Sequence, residues 1–416
     1  MKKVLLLAVF ALASAVTYAG GYRVSLQGNK ALAMGHTGVA VVNSSESVFF
    51  NPAALVYLED KFSISAGVHG VFSNIAYQDT ETGANARTDS PVGTPLYLYA
   101  SYQATDWLAF GLGVYTPYGS SVEYEDDWAG SHLVNNIDLQ AIYIQPTVSF
   151  KINDKLSFGG GPIYVTGSVN FNRNLNRTLT DLDGNRSNVT IDASGVSNWG
   201  WVASAMVNLT DDLHIGATYR SEIILDAEDG TAEFENIPNS PLTPFENTSI
   251  KASLPMPAEM TVGMSYDFCE SWTFAFDYNR TFWDVYNSLD IDFANEAIPD
   301  SKNARNYKNA SIYRFGMQYD ATKMFTLRAG YYFDESPVRE GYFAPETPRN
   351  DSNNFTAGLT VNLGEHLQID ASFLYSHFKE VDASYNYYFE NGVAVPFKGT
   401  YKTNVFVPGL GLTYKL

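Results

Sequence analysis

Phe355-Thr356-Ala357-Gly358-Leu359-Thr360-Val361-Asn362-Leu363, then Gly364-Glu365-His366, then Leu367-Gln368-Ile369-Asp370-Ala371-Ser372-Phe373-Leu374-Tyr375: two runs alternate apolar with polar or small residues, and three turn-forming residues separate them. Successive side chains of a strand point to opposite faces, so a period of two gives each run one oily face and one wet face. Leu213 to Arg220 and Phe325 to Tyr331 repeat the pattern. Beyond residue 20 no stretch is apolar enough to cross a bilayer as a helix, which takes roughly 20 consecutive apolar residues.

Outward from that hairpin, five more compact polar connections join alternating runs, at 104–106, 153–155, 210–212, 267–270 and 320–323. Seven longer polar connections lie between them, near 79–94, 117–135, 174–188, 227–247, 284–308, 334–353 and 380–401. Six tight hairpins supply twelve strands, and one strand at each end makes fourteen. Short turns on one rim, long loops on the other and an even count describe an all-β, 14-stranded antiparallel transmembrane β-barrel. Such a barrel is a multi-pass protein of the outer membrane of a Gram-negative bacterium, here with both termini periplasmic. A soluble propeller or tandem sandwich does not account for the strict short/long alternation. Tyr97, Tyr99, Tyr102, Trp107 and Phe110 are read as interfacial girdle residues, and Tyr414 and Leu416 share one face of the closing strand.

The 416 residues carry a formal charge of −19, which repels a phosphate backbone and excludes a nucleic-acid partner. A lone Cys269 excludes a disulfide framework and a multi-cysteine metal site. Met1-Lys2-Lys3, the apolar run Val4 to Val16 and the small residues around Ala19 read as a signal peptide over 1–19. Residues 20–60 are rich in Gly, Ala, Ser and Asn without sustained alternation, yet Val39 to Val42 and Val48-Phe49-Phe50 are too apolar for a solvated tail. They are assigned to a plug folded into the lumen, and residues 61–416 to the barrel.

Several short motifs then fall in order. Gly21-Tyr22-Arg23, Ala33-Met34-Gly35-His36-Thr37-Gly38 and Asn51-Pro52-Ala53-Ala54 occupy the plug segment. Pro117-Tyr118-Gly119, Trp128-Ala129-Gly130, Tyr219-Arg220-Ser221-Glu222, Leu254-Pro255-Met256-Pro257, Phe282-Trp283, Tyr313-Arg314-Phe315-Gly316 and Phe333-Asp334-Glu335-Ser336-Pro337-Val338 follow. With these the chain resembles the FadL/TodX family of outer-membrane transporters for long-chain fatty acids and other hydrophobic compounds. The resemblance implies passive, plug-gated uptake through an apolar pocket, with lateral exit at a kink in the third strand. Two places depart from the family: Ser131-His132 stands where an arginine and an aromatic often follow the Trp-Gly stretch, and the 174–188 loop is shorter and more polar.

The third strand is expected over Leu108 to Thr116, so Gly111, Gly113 and Pro117 become its gate candidates, glycine and proline being where a strand loses pairing. Parity puts Arg220, Arg314 and Arg328 inside the lumen, where they either hold a carboxylate head group bidentately or pair with carboxylates such as Glu222 and Asp277. Val405 and Val407 share the inward parity and suit an oily ligand or plug packing. In the plug, Asn51-Pro52-Ala53 is expected to make a tight turn against the wall, because Pro52 biases Asn51 towards extended geometry and the Asn51 side chain can bond local backbone.

Catalysis has little footing: the six histidines are scattered and none sits at metal-ligand spacing, so no catalytic residue, metal or cofactor is assigned. A barrel lipase or esterase, and a porin of broader specificity, are the rival classes. Acidic clusters at 123–127 and 228–235 are read as solvated faces or as groups that share divalent ions with lipopolysaccharide. The expected partners are a long-chain fatty acid or other hydrophobic small molecule and outer-membrane lipid, and the expected state is a monomer.

Overall fold

A computed structural model describes residues 21–125, 127–240 and 244–416. The proposed signal peptide lies outside the described residues, as does Asp126 of the first acidic cluster.

The chain forms a closed antiparallel barrel of fourteen strands. They are β1 (Phe62–His69 and Phe72–Asp79), β2 (Asn85–Arg87 and Leu96–Thr105), β3 (Leu108–Glu123), β4 (Asn136–Asn153) and β5 (Leu156–Asn174). Next come β6 (Asn188–Asn208), β7 (Leu213–Arg220 and Ile223–Glu235), β8 (Thr248–Met256 and Glu259–Cys269), β9 (Trp272–Thr281 and Ser288–Phe293) and β10 (Ser301–Ala304 and Ala310–Asp320). The set ends with β11 (Phe325–Asp334), β12 (Ser352–Leu363), β13 (Leu367–Phe378 and Val381–Tyr385) and β14 (Phe397–Lys415). Closure comes from β1 on β14, paired from Ser63↔Lys415 through Asp79↔Gly399, which leaves the sheet without an edge. In a bilayer every backbone polar group needs an internal partner, and a closed ladder supplies it.

The tight turns have the chemistry the sequence announces. Asn153 Oδ1 accepts from Lys155 N at 2.9 Å, Thr210 Oγ1 accepts from Leu213 N at 3.0 Å, and Gly364 supplies the positive φ of the turn into β13. On the other rim several strands run further than alternation alone suggested. β3 continues through Pro117 to Glu123 and β7 to Glu235, so the loops there are shorter than 117–135 and 227–247.

Along each strand one parity is exposed and apolar: Leu98, Phe110, Leu112, Phe315, Leu327, Phe373 and Leu412 stand outward on the lipid side. Tyr102, Trp107 and Phe110 belong to that surface, but Tyr97 and Tyr99 do not. They occupy the opposite parity, are fully buried, and stack at 5.4 Å in a lumenal tyrosine row that continues to Tyr115 and Tyr143. Alternation of one aromatic type on both faces hides this: Tyr97 and Tyr102 look alike in sequence but are an odd number of residues apart.

Residues 21–60 fill the lumen. A short helix α1 (Asn29–Ala33), a turn of helix α2 (Ser47–Phe50) and a 3-10 turn (Pro52–Tyr57) are almost wholly buried. Glu46 accepts from the N–H groups of Lys30 and Ala31 at 3.3 and 3.2 Å, satisfying the free donors at the start of α1. From above, the segment between β11 and β12 folds inward: Phe343 to Thr347 are buried, and Arg305 of the neighbouring loop is bonded to Glu346.

Candidate ligand chambers and wall openings

The plug is pinned first at Asn51. Its backbone is extended, with φ −158°, and its Oδ1 accepts from Ala53 N at 3.1 Å while Nδ2 donates to Val39 O at 2.6 Å. Pro52 starts the 3-10 turn, where its missing N–H costs nothing. Three wall strands then hold Ala53: Ser157 Oγ of β5 and Ser149 Oγ of β4 donate to its carbonyl at 2.7 and 3.2 Å, and Ser204 Oγ of β6 accepts from its N–H at 2.9 Å. Gly159 lets this backbone touch the wall, since a Cβ there would lie 2.5 Å from Ala53 N.

Gly111 and Gly113 do the same work elsewhere. Both lie inside unbroken pairing with β2 and β4, and a Cβ on Gly111 would meet Val48 Cγ2 at 2.7 Å and one on Gly113 Val48 Cγ1 at 3.0 Å. Their absent side chains admit the plug, and strand pairing is not lost there. The break lies higher, at Pro117. Pairing of β3 with β2 ends at Tyr97↔Tyr115 and touches again only at the Thr88↔Tyr124 bridge, while the β3–β4 register shifts between Tyr115 and Tyr118. Proline has no N–H to give a neighbouring strand, and the extra residue of a bulge bends the chain.

The freed edge of β3 is taken by the plug. Val24 N donates to Pro117 O at 2.8 Å and Gly119 N donates to Tyr22 O at 3.0 Å, so residues 22–24 form a short hatch strand on the inner side of the break. An ion pair fastens it: Arg23 Nε lies 2.7 Å from Glu259 Oε1 with both side chains buried, and Tyr118 Oη donates to the same oxygen at 2.9 Å. Tyr22 packs edge-on against Trp283 and Tyr286 at 4.9 and 5.5 Å.

Two cavities meet at Ser120 and Leu139 beside this hatch. The larger, about 230 Å³, lies behind the β2–β3 break and carries mixed chemistry: Arg23, Asp334 and Arg349 with serines and threonines, and Leu26, Val405 and Val407 as its oily patch. The smaller, about 100 Å³, is lined by Val169, Phe171, Ile191, Leu225, Ile250 and Ile291, with Tyr22 at its inner end. It has almost no polar surface.

The three arginines chosen by parity are indeed inside, but they line neither cavity. Arg220 lies over the Phe49 ring at 4.4 Å and donates to Phe49 O at 3.2 Å. Arg328 donates to Gln318 and Thr360 in the opposite half of the barrel, below α1. Arg314 stands across the ladder from Asp277, whose Oδ2 accepts from Gly38 N at 2.8 Å. All three are buried; Arg220 and Arg328 meet backbone or side-chain acceptors, while Nε and one terminal nitrogen of Arg314 have no hydrogen-bond partner among the described residues. Besides Arg23, which is ion-paired with Glu259, the larger cavity has the cation of Arg349, on the inward-folded segment, which donates to Arg23 O at 3.0 Å and has no ion pair among the described residues. Sequence parity could not find it, because Arg349 sits in a loop and no alternation applies to loops.

The family model of outer membrane protein transport proteins (OMPP1/FadL/TodX) matches residues 10–416. The chain belongs to this family. A long-chain fatty acid transport protein of Escherichia coli O6:H1 is 24% identical over 413 residues, covering 89% of this chain and 90% of its own. Among solved structures, a FadL homologue of Pseudomonas aeruginosa superposes with a TM-score of 0.81 at 19% identity, over 95% of this chain and 100% of its own. The toluene transporter TodX of P. putida follows at 0.73 and 18%, over 96% and 99%. At such identities these two structures speak for the fold. Family and barrel together place this FadL/TodX family member in the outer membrane.

Proposed function

We propose that this protein carries long-chain fatty acids or related hydrophobic molecules passively inward across the outer membrane, with the plug's first residues as the gate. The ligand tail lies in the oily chamber and the head group in the polar one, within reach of Arg349. Displacement of residues 22–24 from β3 uncovers the wall between Asp89–Pro95 and Thr116–Val122, through which the molecule leaves sideways. One observation carries this reading: among the described residues, the only strand-like contact of the plug covers the one edge of β3 that β2 abandons. The work to be done is physical. The sugars and phosphates outside the bilayer exclude apolar chains, and a barrel wall lets such a chain re-enter hydrocarbon without crossing the aqueous periplasm unprotected.

The resemblance to relatives that carry fatty acids and toluene supports the substrate class, and the presence of a cation at the cavity favours an anionic head group. Uptake of radiolabelled tetradecanoic acid into cells expressing the protein, alongside calorimetric binding in a non-ionic detergent, tests it. Saturable binding with little ion conductance in planar bilayers is expected. Steady conductance without binding would replace this reading with a broad porin.

A further inference from the structure

A second break lies on the far side of the barrel, between β6 and β7. Below it the strands pair from Asn208↔His214 to Val202↔Arg220, and above it from Asp192↔Thr231 to Asn188↔Glu235. Between these ladders, Ala193–Trp201 and Ser221–Gly230 form no backbone ladder. Three bonds tie the lower end: Ser221 N to Trp201 O at 2.9 Å, Trp201 N to Ser221 Oγ at 3.0 Å, and Asn198 Nδ2 to Ile224 O at 2.7 Å. Higher up, Ala193–Ser197 and Leu225–Gly230 are joined by neither backbone ladder nor side-chain bond.

Each rim has its own cause of departure. On β6 a bulge sets Ser194 and Gly195 against the single Ser168 of β5, with Gly195 at φ +69°. On β7 a bulge sets Glu228 and Asp229 against Lys251 of β8. Each bulge adds a residue on the side away from the break, so both rims bend, and each keeps its ladder with its other neighbour. Two independent bulges at the same level on facing strands are a built feature of the wall.

The break opens on the oily chamber. Ala193 and Val196 of one rim and Leu225 and Ala227 of the other line that cavity directly. Just below stand Trp199 and Trp201, 63% and 50% exposed, packed on Tyr164 and Tyr219 at 5.0 and 5.4 Å. Exposed tryptophans mark the level where hydrocarbon gives way to polar head groups. Above, the rims turn polar and exposed, with Ser197, Asp226 and Glu228. The axial route from outside is shut: Glu346 and Thr347 roof the chamber, Arg305 holds Glu346, and Tyr124 Oη donates to Pro345 O at 3.0 Å. Tyr124 stacks on Trp128 at 3.9 Å in the same roof.

From these placements we infer that the β6–β7 break is the entry port of the oily chamber, admitting a long apolar chain sideways from the outer face of the membrane at the tryptophan level. The inference rests on the transport reading above and adds a second opening to it. Entry and exit then use different strand pairs, with the chamber sequence oily first and polar second.

The test closes the port after assembly. Ser197→Cys and Asp226→Cys are placed on exposed rim positions in a Cys269→Ser background, and intact cells are treated with a reducible bismaleimide. Tetradecanoic acid and its methyl ester are the probes. Cross-linking is expected to slow uptake of both several-fold, with recovery on reduction, and in purified protein to slow association and dissociation alike while leaving equilibrium affinity unchanged. A cross-linked barrel that imports at the uncross-linked rate overturns the port. Lost equilibrium affinity also overturns it, making the break part of the binding pocket or a seat for a resident lipid chain. If the uncross-linked protein neither binds nor imports either probe, the transport reading falls and the port with it, a result distinct from both others.

Discussion

The two wall breaks are made by the same physics and face cavities of different chemistry. At β2–β3 a proline and a one-residue shift free a strand edge, the plug covers it with residues 22–24, and the cavity behind has mixed, charged and apolar walls. At β6–β7 two bulges part the strands, no plug segment among the described residues pairs with either rim, and the cavity behind is oily. The difference teaches that a barrel can be opened cheaply wherever a strand keeps one neighbour. What decides the use of the opening is whatever stands behind it. One is latched by a buried ion pair, and the other is screened only by its rims.

The largest expected effect falls on the latch. Glu259→Ala leaves Arg23 buried without its carboxylate, a loss of about 3–5 kcal/mol for a broken buried pair. Residues 22–24 should then exchange amide hydrogens far faster and single channels should conduct ions, while exchange at 188–192 and 231–235 stays as before. Unchanged protection of the hatch would remove the asymmetry between the two breaks.

A smaller effect separates the two chambers. Arg349→Gln should weaken tetradecanoic acid by about 1.5–3 kcal/mol, the worth of a hydrogen bond to a charged group, and spare the methyl ester. Ile191→Ala, which removes oily contact, should weaken acid and ester equally by about 1–2 kcal/mol, near 0.8 per methylene. Arg328→Gln, remote from both cavities, should leave both ligands alone. Equal losses of acid and ester at Arg349 would mean that the polar chamber does not read the head group.

Next comes the plug anchor at Asn51. Asn51→Ala removes a side chain that caps the 3-10 turn, a change of about 1 kcal/mol, and should raise ion leak modestly without preventing barrel assembly. Conductance equal to that of the parent would show that the wall serines on Ala53 suffice.

The smallest effect concerns the outer loops. Burial beside Tyr388 and Phe397 lowers the His132 imidazole from about 6.5 to about 4. The fold therefore prefers the neutral ring, and as pH falls through 6.5 towards 4 the unfolded loop gains a proton that the folded one refuses. Protection of residues 127–134, corrected for intrinsic exchange, should decline over that window and stay level in His132→Phe. A flat parent profile would leave this loop without a pH response.

Much of the barrel was legible because its constraint is local. Alternation at Phe355–Leu363 and the turn at 364–366 fix two strands and their register with nothing but a period and a glycine. The same rule failed where two faces use one residue type, as at Tyr97 and Tyr99, and where close approach mimics weakness, as at Gly111 and Gly113. A glycine in a strand reads as a break or as an embrace, and only the partner's position tells which.

Period and turn chemistry thus determined the strand count and the outer-membrane address from the sequence alone, since each depends on neighbours a few residues away. Tertiary structure alone decided that Arg23 meets Glu259, 236 positions on, that Arg349 and not Arg220, Arg314 or Arg328 faces the larger cavity, and that strand pairing breaks in two places. Those are facts about which distant segments share a space. A ladder is written into each strand, whereas its absence depends on two strands bending apart, and no single stretch of sequence carries that.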